Sequence, residues 1–186
     1  MRILGISGSL RRDSWNRKLL LTASELLPSG VELELYEGLK EVPPYDEDDD
    51  VQPAPAAVAE LRAAIAGADA FLIATPEYNS SLPGQLKNAI DWASRPIETN
   101  VLRNKPAAVV GSSTGAFGAV WSQAELRKVL AATGARVVEG EVAVGHAPSK
   151  FEESGRLGDE DLLEQLEEVI ELLVAETKPA ALTAAA

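Results

Sequence analysis

Short apolar runs alternate along this chain with segments of helical periodicity. Residues Ile3 to Ile6, Ala70 to Ala74 and Ala107 to Val110 are almost wholly apolar, which is typical of strands buried on both faces of a sheet. Val31 to Tyr36 alternates apolar and acidic side chains, which predicts a half-exposed strand near a sheet edge. Arg136 to Val144 is predicted to hold a fifth strand.

Five segments repeat an apolar residue every three or four positions, as helices with one buried face do. The clearest is the last, in which six branched apolar side chains share one face. The predicted helices are Ser14 to Leu27, Ala57 to Ala66 with Gly67 as its stop, Leu86 to Ala93, Ser122 to Ala132 and Asp159 to Ala175.

This strict alternation of strands and helices predicts a doubly wound α/β fold, with a parallel sheet and helices on both faces. Five strands in 186 residues fit the flavodoxin-like strand order 2-1-3-4-5. We expect one domain over residues 1–176 and a frayed, Ala-rich tail over residues 177–186.

Composition excludes several classes of function. The 17 Lys and Arg residues against 29 Asp and Glu give a net charge of −12, which argues against nucleic-acid binding. The absence of cysteine excludes thiolate catalysis and Cys-ligated metals, and a single histidine leaves no multi-His metal site. We find no membrane helix or signal peptide in the sequence and expect a cytoplasmic protein.

Three loops that follow predicted strands are unusual in composition, and such loops form the ligand site of an open α/β sheet. The first, Gly8 to Arg17, combines small polar residues with a helix start, where unpaired N–H groups favour an anion. Arg11, Arg12, Arg17 and Lys18 add a local positive charge, so we predict a phosphate site here.

The second loop, Thr75 to Gly84, offers polar edges and a tyrosine ring, which suit a planar ligand. The third, Gly111 to Gly118, has glycines that permit close backbone approach. It also matches the G-x-S-x-G nucleophile elbow, which leaves open a hydrolase with Ser113 as nucleophile and His146 as base. The P-loop and G-x-G-x-x-G nucleotide motifs do not occur.

These loops resemble those of the flavodoxin-like NADPH-dependent FMN reductases, a family that includes bacterial quinone, chromate and azo reductases. The run G-S-L-R-x-x-S-x-N at Gly8 to Asn16 resembles the family's FMN phosphate loop. The run T-P-E-Y-N-x-S-x-P-G-x-L-K-N-A-I-D-W at Thr75 to Trp92 is similar to its most specific signature. The resemblance covers most of the chain from Ile3 to Phe151.

The resemblance implies bound FMN, with NADPH or NADH as co-substrate and a quinone, chromate, an azo compound or free flavin as electron acceptor. Ser9, Arg11, Ser14 and Asn16 would then hold the phosphate, with Trp15 beside them among the cofactor-binding residues. Pro76, Glu77, Tyr78 and Asn79 would line the ribityl chain and the isoalloxazine. Ser112, Ser113, Thr114 and Gly115 would border the pyrimidine side. No catalytic acid or base is implied, because the flavin carries the chemistry.

The chain departs from the family at one position. Relatives often carry G-G-x-R in the third loop, where this chain has Gly118-Ala119-Val120-Trp121. The missing arginine leaves open the preference for NADPH over NADH. The family also implies a homodimer or homotetramer. A flavodoxin-like electron carrier without a substrate of its own is the alternative from another class, although such carriers usually lack an arginine in the phosphate loop.

Overall fold

The strands pair in parallel in the predicted order, β2-β1-β3-β4-β5. The computed structural model describes residues 1–177, so all but the first residue of the predicted tail lies outside the described residues. The strands β1 (Arg2–Ser7), β3 (Ala70–Thr75) and β4 (Pro106–Ser112) form the centre of the sheet, and β2 (Glu32–Tyr36) forms one edge. The half-exposed edge strand was therefore predicted correctly.

The fifth strand position is interrupted. The strands β5 (Arg136–Val137) and β6 (Ala143–Val144) both pair with β4, and five residues separate them. Val138 and Val142, at the two ends of this gap, each keep one main-chain hydrogen bond to β4. The fifth strand position is thus filled within the predicted range Arg136 to Val144, by two short strands instead of one. The Arg127 guanidinium explains the break, because it donates to the carbonyls of Val109 (3.0 Å) and Gly140 where main-chain bonds would otherwise run.

Within residues 1–177, four α-helices connect the strands and a fifth follows the last strand. Each begins and ends within three residues of its predicted ends. Ser14 caps the first and Asp159 the last, each through a side-chain oxygen that accepts a main-chain N–H. Gly67 is the last residue of the second helix rather than a stop beyond it. None of the helices within residues 1–177 is long and apolar enough to cross a membrane. They are α1 (Trp15–Glu25), α2 (Ala56–Gly67), α3 (Gly84–Ala93), α4 (Val120–Ala132) and α5 (Glu160–Glu176).

The core has two layers, one on each face of the sheet, because successive strand side chains point in opposite directions. Helices α2, α3 and α4 cover one face and α1 and α5 the other. The first layer includes Leu4, Ile6, Phe71, Ile73, Val58, Leu61, Leu86, Trp92, Leu126 and Leu130. The second includes Ile3, Leu72, Val110, Leu19, Leu20, Leu166, Val169 and Leu173. This double cover explains the almost wholly apolar central strands.

Candidate active site

The loops after β1, β3 and β4 enclose a cavity of about 120 Å³ at the carboxyl ends of the strands. Of the thirteen residues predicted to bind the cofactor, eleven line it; Asn79 and Gly115 do not, although they lie on the same loops. The binding roles of all thirteen stay predictions. The lining consists of Ser9, Arg11, Ser14, Trp15, Asn16, Pro76, Glu77, Tyr78, Ser112, Ser113 and Thr114.

Asn16 fastens the first loop to the third. Its side-chain amide donates to the Ser112 carbonyl at 3.0 Å, and the Ser112 N–H donates back to its side-chain oxygen at 3.0 Å. Asn16 is only 3% exposed, so these bonds are shielded from water. The structure thus adds a positioning role to the phosphate contact predicted for Asn16.

Arg11 lies exposed at the mouth of the cavity. Its main-chain N–H donates to the Ser9 hydroxyl (3.4 Å), and its guanidinium makes one bond, to the Asp13 carbonyl (3.3 Å). A guanidinium has five N–H donors, so most of them are left for an anion. Ser14 beside it is buried, and α1 begins there with its positive dipole end. Together they make this end of the cavity positive, which suits an anion.

The basic residues predicted to share this anion site separate in the structure. The Lys18 ammonium pairs with Asp13 at 2.7 Å and lies 4.3 Å from the Trp15 ring centroid. Its hydrogen bond holds the pKa of the Asp13 carboxyl below the ordinary value. Arg17 pairs with Glu37 at 2.5 Å. Of the four, only Arg11 lines the cavity.

The second loop turns sharply at Tyr78 to Ser81. These two residues exchange main-chain hydrogen bonds of 3.0 and 3.2 Å, and Asn79 and Ser80 between them have φ of 54° and 61°. Two positive φ angles define a type I′ turn, which favours asparagine. Asn79 therefore has a conformational role, and the turn leaves the Tyr78 ring half exposed.

Glu77 caps a helix from a distance, which the sequence pattern did not predict. Its carboxylate accepts the N–H groups of Trp121 (3.1 Å) and Ser122 (3.2 Å) at the start of α4. The residue at the helix's own cap position is Ala119, whose side chain offers no acceptor. A helix start without a local cap is the one sequence signal that pointed to a capping group elsewhere.

The third loop contains a buried hydroxyl without a partner. Ser112 is 1% exposed, and its Oγ has no hydrogen-bond partner among the described residues. Such a group is costly to bury and marks a place where a ligand or solvent supplies the missing bond. Gly118 holds the same loop against β6, since a Cβ there would lie 2.3 Å from the Ala143 carbonyl carbon.

The hydrolase alternative fails on geometry. The Ser113 hydroxyl donates to the Gly115 carbonyl at 3.3 Å, and His146 contacts the same carbonyl only through its main-chain N–H. The Glu125 carboxylate, an acidic group between Ser113 and His146 in the chain, accepts the Ser81 hydroxyl instead. Helix α4 begins seven residues after Ser113, so the strand-turn-helix elbow does not form.

The residues present fit FMN. The cavity joins a phosphate end, made by the start of α1 and the Arg11 guanidinium, to a wall with a half-exposed tyrosine ring. Ser112 also lines the cavity, and its unpartnered hydroxyl suits the polar edge of a heterocycle. These are the anionic, apolar and polar parts that a flavin mononucleotide presents.

Comparison with known proteins decides the family. The sequence model described as NADPH-dependent FMN reductase matches residues 1–149. The chain belongs to this family. An NAD(P)H-dependent FMN reductase of Pseudomonas aeruginosa is 42% identical over 174 residues, which is 93% of each chain. A 2-hydroxy-1,4-benzoquinone reductase of a Burkholderia species is 38% identical over 168 residues, 90% of this chain and 91% of that one.

A solved structure agrees with the sequence comparison. FerB, described as a flavoenzyme NAD(P)H:(acceptor) oxidoreductase from Paracoccus denitrificans, superposes with a TM-score of 0.83 at 34% identity. The match covers 95% of this chain and 96% of that one. The FMN reductase resemblance drawn from the loop motifs is therefore confirmed. The protein is an oxidoreductase that uses FMN and NAD(P)H.

Proposed function

We propose that the protein reduces a quinone-like acceptor with NAD(P)H, with FMN held in the cavity between the three loops. The observation that carries the proposal is that eleven of the thirteen predicted cofactor-binding residues line one cavity. One of them, Ser112, has a buried hydroxyl without a partner. The names of the Burkholderia relative and of FerB support a quinone or a similar small acceptor. Bound FMN would supply the chemistry, accepting a hydride from NAD(P)H and passing two electrons to the acceptor.

The chain's own residues bind and orient the flavin. Arg11 and the N–H groups at the start of α1 neutralise the phosphate, and Ser9 and Ser14 add hydroxyl groups. Ser112 and Thr114 also line the cavity, and their hydroxyls would be the groups available to the polar edge of the ring. The Ser113 main-chain N–H donates to the Val144 carbonyl, so it positions the third loop and is not free to bind the flavin.

A test of the phosphate end compares Arg11→Gln with Arg95→Gln in FMN binding. Arg95 is exposed, lies outside the cavity and forms no salt bridge between described residues, which makes it a matched control. Losing a charge-assisted bond costs about 1.5–3 kcal/mol, so Arg11→Gln should weaken FMN binding about tenfold or more. Equal dissociation constants for the two variants would remove Arg11 from the phosphate site.

A second copy of the chain is the proposed cover of the cavity mouth. Phe117 and Trp121 are 64% and 48% exposed, and their rings meet edge to face with centroids 5.0 Å apart. The half-exposed Tyr78 adds a third aromatic ring on the loops around the cavity. Large exposed aromatic side chains of this kind mark interaction surfaces. Light scattering should show an oligomer that Phe117→Ser with Trp121→Ser dissociates into folded monomers; an unchanged mass would contradict this.

Two further parts of the proposal concern the choice between NADPH and NADH as electron donor and the cellular compartment in which the protein acts. Trp121 stands where relatives often carry an arginine, so the donor preference is to be measured by comparing NADPH with NADH. We propose the cytoplasm as the site of action, because NAD(P)H is available there. Cell fractionation with an antibody tests this, and recovery outside the cytoplasmic fraction would contradict it.

A further inference from the structure

A second cleft, of about 370 Å³, opens beside the first loop, between that loop and the segment that follows β2. It shares only Ser9 and Arg11 with the flavin cavity. Its remaining wall is supplied by residues that the flavin cavity does not use. The lining consists of Ser7, Ser9, Leu10, Arg11, Arg12, Arg17, Tyr36, Glu37, Leu39, Lys40 and Glu41.

The charge of this cleft opposes that of the whole protein. Four cationic side chains line it against two carboxylates, in a chain whose net charge is −12. One cation, Arg17, is neutralised by Glu37 at 2.5 Å. Arg11, Arg12 and Lys40 form no salt bridge between described residues, and Glu41 is the one other carboxylate in the wall. After the Arg17–Glu37 pair, the wall keeps three cations against the Glu41 carboxylate. Arg11 also lines the flavin cavity, so Arg12 and Lys40 are the cations that belong to this cleft alone.

Tyr36, one of the residues that line the cleft, carries a hydroxyl without a partner. The Tyr36 Oη is buried and makes no hydrogen bond with any described residue. Burial, with the nearby Glu60 and Glu41 carboxylates, raises the pKa of this phenol, so it stays a protonated donor. It lies against Gly38, where a Cβ would come within 2.8 Å of Oη. The phenol thus has a proton to donate and no acceptor in the described chain.

We propose that this cleft is a second oxyanion site, which takes a phosphate monoester beside the flavin phosphate. Arginine forks and a lysine ammonium are the groups that recognise a phosphate, and the cleft combines them. Two sources share this chemistry: the 2′-phosphate of NADPH and free inorganic phosphate. The first source rests on the proposed function, since it makes the site part of donor recognition.

The test is calorimetric titration of the FMN-loaded protein, in which the flavin's own phosphate site is already filled. The probes are adenosine 2′-monophosphate, inorganic phosphate and adenosine. The variants are Arg12→Gln with Lys40→Gln, Tyr36→Phe, and Lys128→Gln as a control. Lys128 is an exposed cation of α4 outside both cavities. Arg12 and Lys40 are also exposed, so their loss leaves the core intact. Circular dichroism checks the fold of each variant.

We expect the double variant to bind the phosphate probe about tenfold more weakly than the wild type, with Tyr36→Phe reduced less and Lys128→Gln unchanged. If adenosine 2′-monophosphate binds at least tenfold more tightly than phosphate and adenosine, the dinucleotide is the source. If phosphate alone binds as tightly, free phosphate is the source. Absence of binding at millimolar probe, or equal affinity in the double variant and the control, overturns the proposal.

Anaerobic mixing of the same FMN-loaded samples with NADPH and NADH keeps the two hypotheses apart. If neither nucleotide reduces the flavin, the proposed function fails while the calorimetric result on the second site still stands. If both reduce the flavin but the double variant loses no phosphate affinity, only the second oxyanion site fails.

Discussion

Replacing Asn16 with alanine should both destabilise the protein and loosen its hold on FMN. The Asn16 amide makes two hydrogen bonds of 3.0 Å to the main chain of Ser112, and both residues are almost fully buried. Alanine removes both bonds and leaves the Ser112 N–H and carbonyl unpaired. Because the first and third loops border the same cavity, loosening one against the other should disorder the flavin site as well.

The magnitude follows from the two groups left behind. A buried polar group without a partner costs about 1–3 kcal/mol, and water entering the gap relieves part of this. We therefore expect Asn16→Ala to lower the free energy of unfolding by about 2–4 kcal/mol. For a domain of this size each kcal/mol lowers Tm by roughly 2–4 °C, so Tm should fall by about 5–15 °C.

The assay is denaturant unfolding of the FMN-free protein, followed by FMN titration under native conditions. Asn100→Ala is the matched control, because the Asn100 side chain also makes two hydrogen bonds to the main chain. It donates to the Thr133 carbonyl at 2.8 Å and accepts from the Leu102 N–H at 2.9 Å. Asn100 precedes β4, at the end of the sheet opposite the cavity. Both variants should lose stability, and only Asn16→Ala should bind FMN at least tenfold more weakly.

Two results would refute this reasoning. If Asn16→Ala unfolds within about 0.5 kcal/mol of the wild type, as ordinary surface variants do, the two bonds do not stabilise the fold. If both variants weaken FMN binding equally, the loss reflects general stability rather than the joint between the loops.

Two further predictions concern the third loop and the last helix. Gly118→Ala should cost about 2–4 kcal/mol, because φ is +58° there and the new Cβ would clash with Ala143. Gly84→Ala, with no atom within 4 Å of the added Cβ, should be neutral or slightly stabilising, and chemical denaturation compares the two. A hydrogen bond from Lys150 lowers the pKa of Asp159 from its ordinary 3.8. The ionised Asp159 carboxylate therefore stabilises the fold above about pH 4, and this stabilisation is lost as the pH falls through the lowered pKa of the folded state. Asp159→Ala should cost about 1–2 kcal/mol at pH 7, with the difference shrinking below pH 3.8, and Asp159→Asn should cost less because it keeps the helix cap. A difference that does not change with pH would contradict the assignment to the ionised carboxylate.

Most of the fold could be predicted from the local pattern of apolar and polar residues. The buried runs at β1, β3 and β4 and the alternating run at β2 were enough to predict the strand order, because each pattern reports how many faces of the strand are covered. The loops of the site were found for the same reason, since position after a central strand brings them together.

Long-range bonds from side chains to the main chain account for what was missed. Arg127 interrupts the fifth strand from another element, and Glu77 caps α4 from a loop more than forty residues away. The predicted cluster of basic residues divides because Arg17 finds Glu37 and Lys18 finds Asp13. No periodicity in the sequence records such partners, since each depends on which elements the fold brings into contact.

The most direct test of the central claim is the visible absorbance spectrum of the purified protein with FMN, recorded anaerobically before and after NADPH and then after a quinone. The flavin band should bleach with NADPH and return when the quinone is added, which is the behaviour of a reductase that holds its flavin in the cavity between the three loops. A band that appears with FMN but is bleached by neither NADPH nor NADH would show a flavin site without the proposed activity. Absence of FMN binding would contradict the assignment of the cavity itself.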